Sequence, residues 1–285
     1  MAIERNAAEY AKLGDHTYPM PVRRSGLEQG FQDLFAGIAA WRLWTMMGWN
    51  DIRQRYRRSL IGPFWITISM AIFTVLLGVI YSRIFNLEIS FYLPYIAAGL
   101  ITWGLISSTI VESTGSYIEG VAIIRQMPLP LSIFVLRTVW RCFIVFAHTI
   151  VLLIPLELWF HVHLTPALLL FIPGLVLVLL NQVWMALVIG LLSTRFRDIP
   201  PLVATAVQVM MFATPIMWPV DSLGDARFIA DVNPVYHLVD VIRAPILGTA
   251  PSMLSYAYVL GMIVFGYLLA AWLLFKSSKR LVYWL

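Results

Sequence analysis

Five stretches of about twenty residues carry no charged side chain at all: residues 64–82, 91–111, 166–194, 199–220 and 252–275. A sixth run, 142–155, extends to residue 160 across Glu157 and holds His148. A helix needs about 20 largely apolar residues to cross the ~30 Å hydrocarbon core of a bilayer. Lipid offers the backbone no hydrogen-bond partners, so a spanning segment must satisfy its own peptide groups as a helix. The pattern therefore predicts an all-α polytopic membrane protein with six transmembrane helices, at about 64–82, 91–111, 139–160, 168–193, 200–219 and 253–275. Composition agrees. The chain is 60% hydrophobic and 12% charged, with a mean hydropathy of +0.80. A soluble domain carries about 25% charged residues, and the apolar excess here must face lipid.

Basic residues orient the bundle, because loops rich in Lys and Arg stay in the cytoplasm. Nine precede the first span: Arg5, Lys12, Arg23, Arg24, Arg42, Arg53, Arg55, Arg57 and Arg58. Arg125, Arg137 and Arg141 fall in the second connection, Arg195 and Arg197 in the fourth, and Lys276, Lys279 and Arg280 after the last span. Seventeen of the twenty thus share one side, leaving Arg83, Arg227 and Arg243 outside. Both termini are expected in the cytoplasm. A basic start followed by an apolar stretch and a small-residue cleavage site is not found, so no signal peptide is read. Residues 1–30, polar and holding Pro19, Pro21, Gly26 and Gly30, read as a flexible cytoplasmic tail, and residues 31–285 as one membrane domain.

Four connecting segments stand out. In residues 31–60, Trp41, Trp44, Met47, Ile52 and Tyr56 recur on an apolar face while Arg53, Arg57 and Arg58 form a basic one. This reads as an amphipathic helix in the cytoplasmic headgroup region, with Asp51 and Arg55 as an i, i+4 pair; the plainer reading is a positive flag that orients the first span. In the second connection, Ile123, Ile124 and Arg125 precede Gln126, Met127, Pro128, Leu129 and Pro130. The prolines end a short helix there, which presents its end to a cytoplasmic partner or belongs to an ordinary loop. The fourth connection is a tight turn in which Asp198 pairs with Arg195 or Arg197 or accepts a backbone hydrogen bond. Residues 221–251 hold Asp221, Asp225, Asp231 and Asp240 among apolar stretches too short to span. They read as short re-entrant or interfacial helices on the outer side, between the fifth and sixth spans, covered by protein or lining a wet cavity.

Catalytic chemistry finds little footing. A phosphate-cradling loop needs Gly-x-x-x-x-Gly-Lys-Ser/Thr, and none of Lys12, Lys276 and Lys279 follows a glycine. His161 and His163 lack a Cys or carboxylate cluster, so no metal site is expected; the single Cys142 reads as a small packing residue. His148 and Glu157 are intramembrane candidates, but the fourth, fifth and sixth spans carry no charge, which argues against ion-coupled transport and paired-carboxylate catalysis. Aromatic residues are plentiful. Trp65, Tyr81, Trp103, Phe212, Trp218 and Tyr236 form a candidate glycan path, because ring faces stack on sugars; the plainer reading is the interfacial aromatic belt.

Several segments resemble the ABC type-2 transporter permease family, in particular exporters of polysaccharides and polyol phosphates. The first runs from Asp51 through Arg53, Arg55, Tyr56, Arg57, Arg58, Ser59, Gly62 and Pro63 to Trp65, and fits R-Y-x-R-[S/T]-x-[L/I]-G-P-x-W. Others are Gly99 to Trp103, Ile123 to Pro130, Leu192 to Ile199 with Arg195, Arg197 and Asp198, and Thr214-Pro215-Ile216-Met217-Trp218-Pro219, followed by Asn233-Pro234 and Arg243. The likeness covers the chain from about Trp41 onward. It implies a homodimer carrying two copies of a separate ATPase subunit, which binds ATP and Mg, with no cofactor and no catalytic residue in this subunit. It implies that Asp51, Arg55, Arg57, Arg58, Arg125, Gln126, Met127 and Pro128 couple to that ATPase. Tyr56, Gly62, Pro63, Trp65, Arg195, Arg197, Asp198, Pro215, Asn233, Pro234 and Arg243 are then family-motif residues. The implied cargo is a lipid-linked polysaccharide (O-antigen, capsular or teichoic type) carried across the bacterial inner membrane; membrane lipids are the surroundings, and nucleic acid is not a partner. Two alternatives remain: an ABC exporter of lipids or drugs, and a membrane-embedded lipid- or sugar-modifying enzyme using the outer aspartates.

Overall fold

The computed structural model describes residues 27–62, 64–160, 165–277 and 281–284. Expectations for residues 1–26, Pro63, His161, His163, Lys279 and Arg280 lie outside the described residues. Among the described residues there is no strand. The first two helices among the described residues are α1 (Leu27–Ala39) and α2 (Trp41–Arg55), and the long helices α3 (Phe64–Ile84) and α4 (Ile89–Ser113) follow. Two short ones, α5 (Ser116–Glu119) and α6 (Val121–Gln126), lead into α7 (Ser132–Phe160), which passes through a 3-10 turn at Ile150–Leu152. Next come α8 (Pro166–Arg195), α9 (Ile199–Ala213), α10 (Phe228–Asp231), α11 (Pro234–Ile246), α12 (Met253–Ser277) and α13 (Leu281–Trp284).

Helices α3, α4, α7, α8 and α12 are long and apolar enough to cross a membrane. The fifth expected span differs. Helix α9 has 15 residues, about 22 Å at 1.5 Å per residue, and ends at Ala213 where residues 200–219 were expected to continue. The third also differs, starting at Ser132 and so placing Arg137 and Arg141 on the helix rather than in a loop. The amphipathic segment forms two helices, broken at Ala40, and begins at Leu27, so residues 27–30 are helical.

Local chemistry explains several ends. After α3, Asn86 takes φ +52°; its N–H reaches Arg83 O at 3.4 Å and that of Leu87 reaches Ser82 O at 2.9 Å. That is the left-handed cap in which two otherwise orphaned carbonyls are satisfied, and Asn tolerates the positive φ. Gly248 (φ +79°) repeats it after α11, with Gly248 N to Pro245 O at 3.1 Å and Thr249 N to Ala244 O at 2.9 Å. Helix α11 opens on an Asn cap: Asn233 Oδ1 accepts from Val235 N (2.9 Å) and Tyr236 N (3.3 Å), with Pro234 at the first helical position.

Helix α4 is the core of the bundle. Its residues from Tyr92 to Ile106 are almost all buried, packed against α3, α7, α8, α9 and α11. Helix α11 is also enclosed, by α4, α8 and α12. The opposite holds for α9, which buries none of its residues, and for α3, which buries only Thr74, Gly78 and Ser82. These two apolar helices leave most of their surface uncovered by the rest of the chain.

Candidate functional site: a charge-balanced cluster at one end and captured carbonyls at the other

At the end of the bundle that carries α1 and α2, six charged side chains from four helices meet. Arg141, only 6% exposed, is the centre: Nε donates to Glu112 Oε2 (2.8 Å), and Nη1 reaches Asp51 Oδ2 (3.2 Å) and Glu119 Oε2 (3.3 Å). Arg137 grips Asp51 with two parallel bonds of 2.6 Å each. Arg55 donates to Glu112 Oε1 at 3.3 Å. Three arginines thus balance three carboxylates. The planar guanidinium suits such bidentate contacts, and the mutual pairing offsets the desolvation that an unpaired buried charge would suffer. The cluster ties α2, the end of α4, α5 and the start of α7 into one body.

This arrangement corrects one sequence reading. Asp51 does not pair with Arg55 along α2; it faces α7, and Arg55 turns to Glu112. An i, i+4 pair on an exposed helix contributes only ~0.3–0.5 kcal/mol, so two arginines offered by α7 outcompete it. By sequence alone, Arg137 and Arg141 are only topology markers and Glu112 only the end of a span. Their four-residue spacing on an otherwise apolar helix is the signal that could have identified them.

A second tie joins α1 to the same region. The start of α7 has no cap of its own; Asp33 of α1 supplies one, accepting from Leu131 N (2.8 Å) and Ser132 N (2.9 Å), while Ser132 Oγ donates to Asp33 O (2.7 Å). Burial pushes the Asp33 carboxyl above its ordinary range, against the pull of these donors. Burial likewise raises the Tyr56 hydroxyl, despite Arg55 beside it. Close by, Ser59 Oγ accepts from Gly62 N at 3.0 Å, and Gly62 turns the chain into α3 at φ +62°, a conformation that disfavours any side chain.

Around this body the remaining predicted coupling residues are outward-facing. Arg57, Arg58, Arg125, Gln126, Met127 and Pro128 are all exposed, and α6 buries no residue. Met127 marks where α6 turns extended, ahead of the two prolines. Tyr56 is half-buried, and Arg195, Arg197 and Asp198 are exposed. No ion pair forms between Asp198 and either arginine among the described residues; Arg195 instead lies over the rings of Phe196 (5.0 Å) and Trp284 (5.3 Å).

At the far end, the motif after α9 is irregular, and side chains catch its carbonyls. Arg243, buried in α11, donates to Pro215 O at 2.7 Å and lies 4.3 Å over the Tyr95 ring. Tyr95 Oη donates to Trp218 O at 3.2 Å, and Tyr92 Oη to Met217 O. Asn233 Nδ2 donates to Ala213 O (3.2 Å) and Thr214 Oγ1 (3.0 Å), and Trp218 Nε1 to Phe212 O (3.2 Å). Buried carbonyls need partners, and these donors let the chain leave the helix at Ala213. That is the physical reason α9 stops short. Pro215, Asn233, Pro234 and Arg243 therefore converge in space. Of the path aromatics, Trp65 and Phe212 are exposed on the bare faces of α3 and α9, Tyr81 and Trp218 are half-buried, and Trp103 and Tyr236 are buried.

Two permease proteins of O-antigen export systems, both named RfbA and both from Klebsiella pneumoniae, are similar to this chain. One is 24% identical over 195 residues, 67% of this chain and 74% of the relative. The other is 23% identical over 225 residues, covering 77% and 85%. Residues 42–247, from α2 through α11, match the ABC-2 type transporter family, and the chain is a member of that family.

Proposed function

We propose that this chain is the transmembrane permease subunit of an ATP-driven exporter. It moves a lipid-linked polysaccharide, an O-antigen, capsular or related cell-surface glycan, from the cytoplasm across the bacterial inner membrane. The observation that carries the reading is the cluster around Arg141. It fuses the amphipathic helix α2 to the α5–α6 segment and to the roots of α4 and α7. A push on the exposed residues Arg125 to Pro128, or on Arg57 and Arg58, is thereby delivered to two spans at once. The sequence offers no phosphate-cradling loop, so the force comes from a separate ATPase subunit that holds ATP and Mg. Two copies of that subunit serve two copies of this chain. The bare apolar faces of α3 and α9 suit the second copy and the lipid, and Trp65 and Phe212 stand on them. The end bearing α1 and α2 faces the cytoplasm, where basic residues concentrate. The name of the relatives supports a glycan cargo.

Deletion of the gene in a producing strain is the test. Surface polysaccharide disappears, lipid-linked polymer accumulates inside, and the wild-type gene restores export. The purified chain has no ATPase activity without its partner, and a Gln126→Cys variant crosslinks to that partner. ATP hydrolysis by this polypeptide alone, or unchanged surface glycan in the deletion strain, overturns the reading.

A further inference from the structure

Beyond the captured carbonyls, the far end of the bundle holds a cavity of about 470 Å³. That lies within the ~300–1,000 Å³ of small-molecule sites. Its two walls differ in chemistry. Phe91 and Tyr95 of α4 lie stacked, ring centroids 6.2 Å apart, and Tyr236 of α11 faces the same space. The other wall carries Asp221, Asp240 and Arg227. We infer that this cavity is a saccharide-binding site, which holds a short segment of the exported polymer as it leaves the bundle. The inference rests on the export reading above.

Three features select a sugar over an anion. The wall is close to neutral, with two aspartates against Arg227 and Arg243. Arg243 is already engaged by Pro215 O and the Tyr95 ring, and the exposed Arg227 lies 3.8 Å from Asp221, so no pair of free cations converges here as a phosphate would require. Second, acceptors outnumber free donors, as a polyol requires. Asp240 Oδ2 accepts from Ser255 Oγ (2.6 Å) and Ser252 N (3.4 Å), which leaves Oδ1 without a partner among the described residues. The Asp221 side chain is 92% exposed. Third, the Tyr236 ring is largely buried while its hydroxyl lies open to the cavity with no hydrogen-bond partner among the described residues. A ligand hydroxyl can therefore donate to it or accept from it without displacing a protein contact. Ring faces opposite carboxylates then match the apolar C–H faces and equatorial hydroxyls of a pyranose.

Photocrosslinking in polymer-producing cells tests the site. Benzoylphenylalanine replaces Leu247, which lines the cavity, or Met253, which is exposed outside it. Irradiated permease is purified and probed for the cell's own polysaccharide by periodate–hydrazide labelling. A glycan adduct forms at Leu247 and not at Met253. Tyr236→Phe, which keeps the ring, lowers the Leu247 adduct about two- to tenfold, the effect of one lost hydrogen bond. Equal adducts at both positions, or a Leu247 yield that Tyr236→Phe does not move, overturn the inference. So does the absence of an adduct at Leu247 in cells that still display the polymer, and that result leaves the export function standing. Surface polymer that persists when the gene is deleted overturns both.

Discussion

Replacing Arg141 by Leu should destabilise the protein more than any other single change in the polar cluster. Arg141 is 6% exposed and touches Asp51, Glu112 and Glu119. Without it, three carboxylates face only Arg137 and Arg55, and the site goes from neutral to one net negative charge. Glu112 Oε2 loses its 2.8 Å partner. Breaking a buried ion pair costs about 3–5 kcal/mol. Here Asp51 keeps Arg137, Glu112 Oε1 keeps Arg55, and Glu119 is half-exposed, so about 2–4 kcal/mol is the appropriate expectation. At ~2–4 °C per kcal/mol for a chain of this size, the apparent melting temperature in detergent falls on the order of 5–10 °C. Trp44 and Trp140 pack edge-to-face at 5.9 Å between α2 and α7, so intrinsic fluorescence reports on this region. Adding Glu112→Gln to Arg141→Leu removes the stranded charge and recovers part of the loss, the non-additivity expected of contacting residues. A melting temperature unchanged by Arg141→Leu, or a double variant whose losses merely add, would refute the charge-balance argument.

Other outcomes follow from the same geometry. Asp33→Ala removes the cap that α1 places on α7 and costs about 1–2 kcal/mol; hydrogen exchange at Leu131 and Ser132 accelerates, whereas a role in α1 alone would leave those amides protected. Gly174→Ala puts a methyl 2.2 Å from Val241 O, so α8 and α11 must separate, at about 1–3 kcal/mol; an unshifted melting temperature would show that the two backbones are not in close contact. Arg243→Lys keeps the charge but loses the planar group that reaches Pro215 O while lying over Tyr95, and lowers the folded yield in detergent; a wild-type yield would show that this contact holds nothing in place.

The long helices were legible because their signal is local. An uncharged run of twenty residues needs no knowledge of its neighbours to be read as a span, and the prolines at 128 and 130 ended α6 where steric rules place the break. The polar cluster was legible only in part. Asp51 and Arg55 were recognised as charged residues that matter, but their partners lie 86 and 57 residues away, and no spacing rule reaches that far. The start of α7 was misplaced for the same reason: two arginines made a loop look reasonable until Asp51, Glu112 and Glu119 supplied counterions. The fifth span looked complete because residues 199–220 are uncharged; the helix ends early because Arg243, Asn233 and Tyr92 capture its following carbonyls.

What this sequence determined by itself was its solvent. Backbone in lipid must pair within its own segment, so apolar length alone dictates helices and their approximate ends. Tertiary structure decided where the buried charges and loose carbonyls find partners, since those depend on which helices lie side by side. The cluster around Arg141 and the mixed-chemistry cavity beside Tyr236 exist only once distant segments have been packed together.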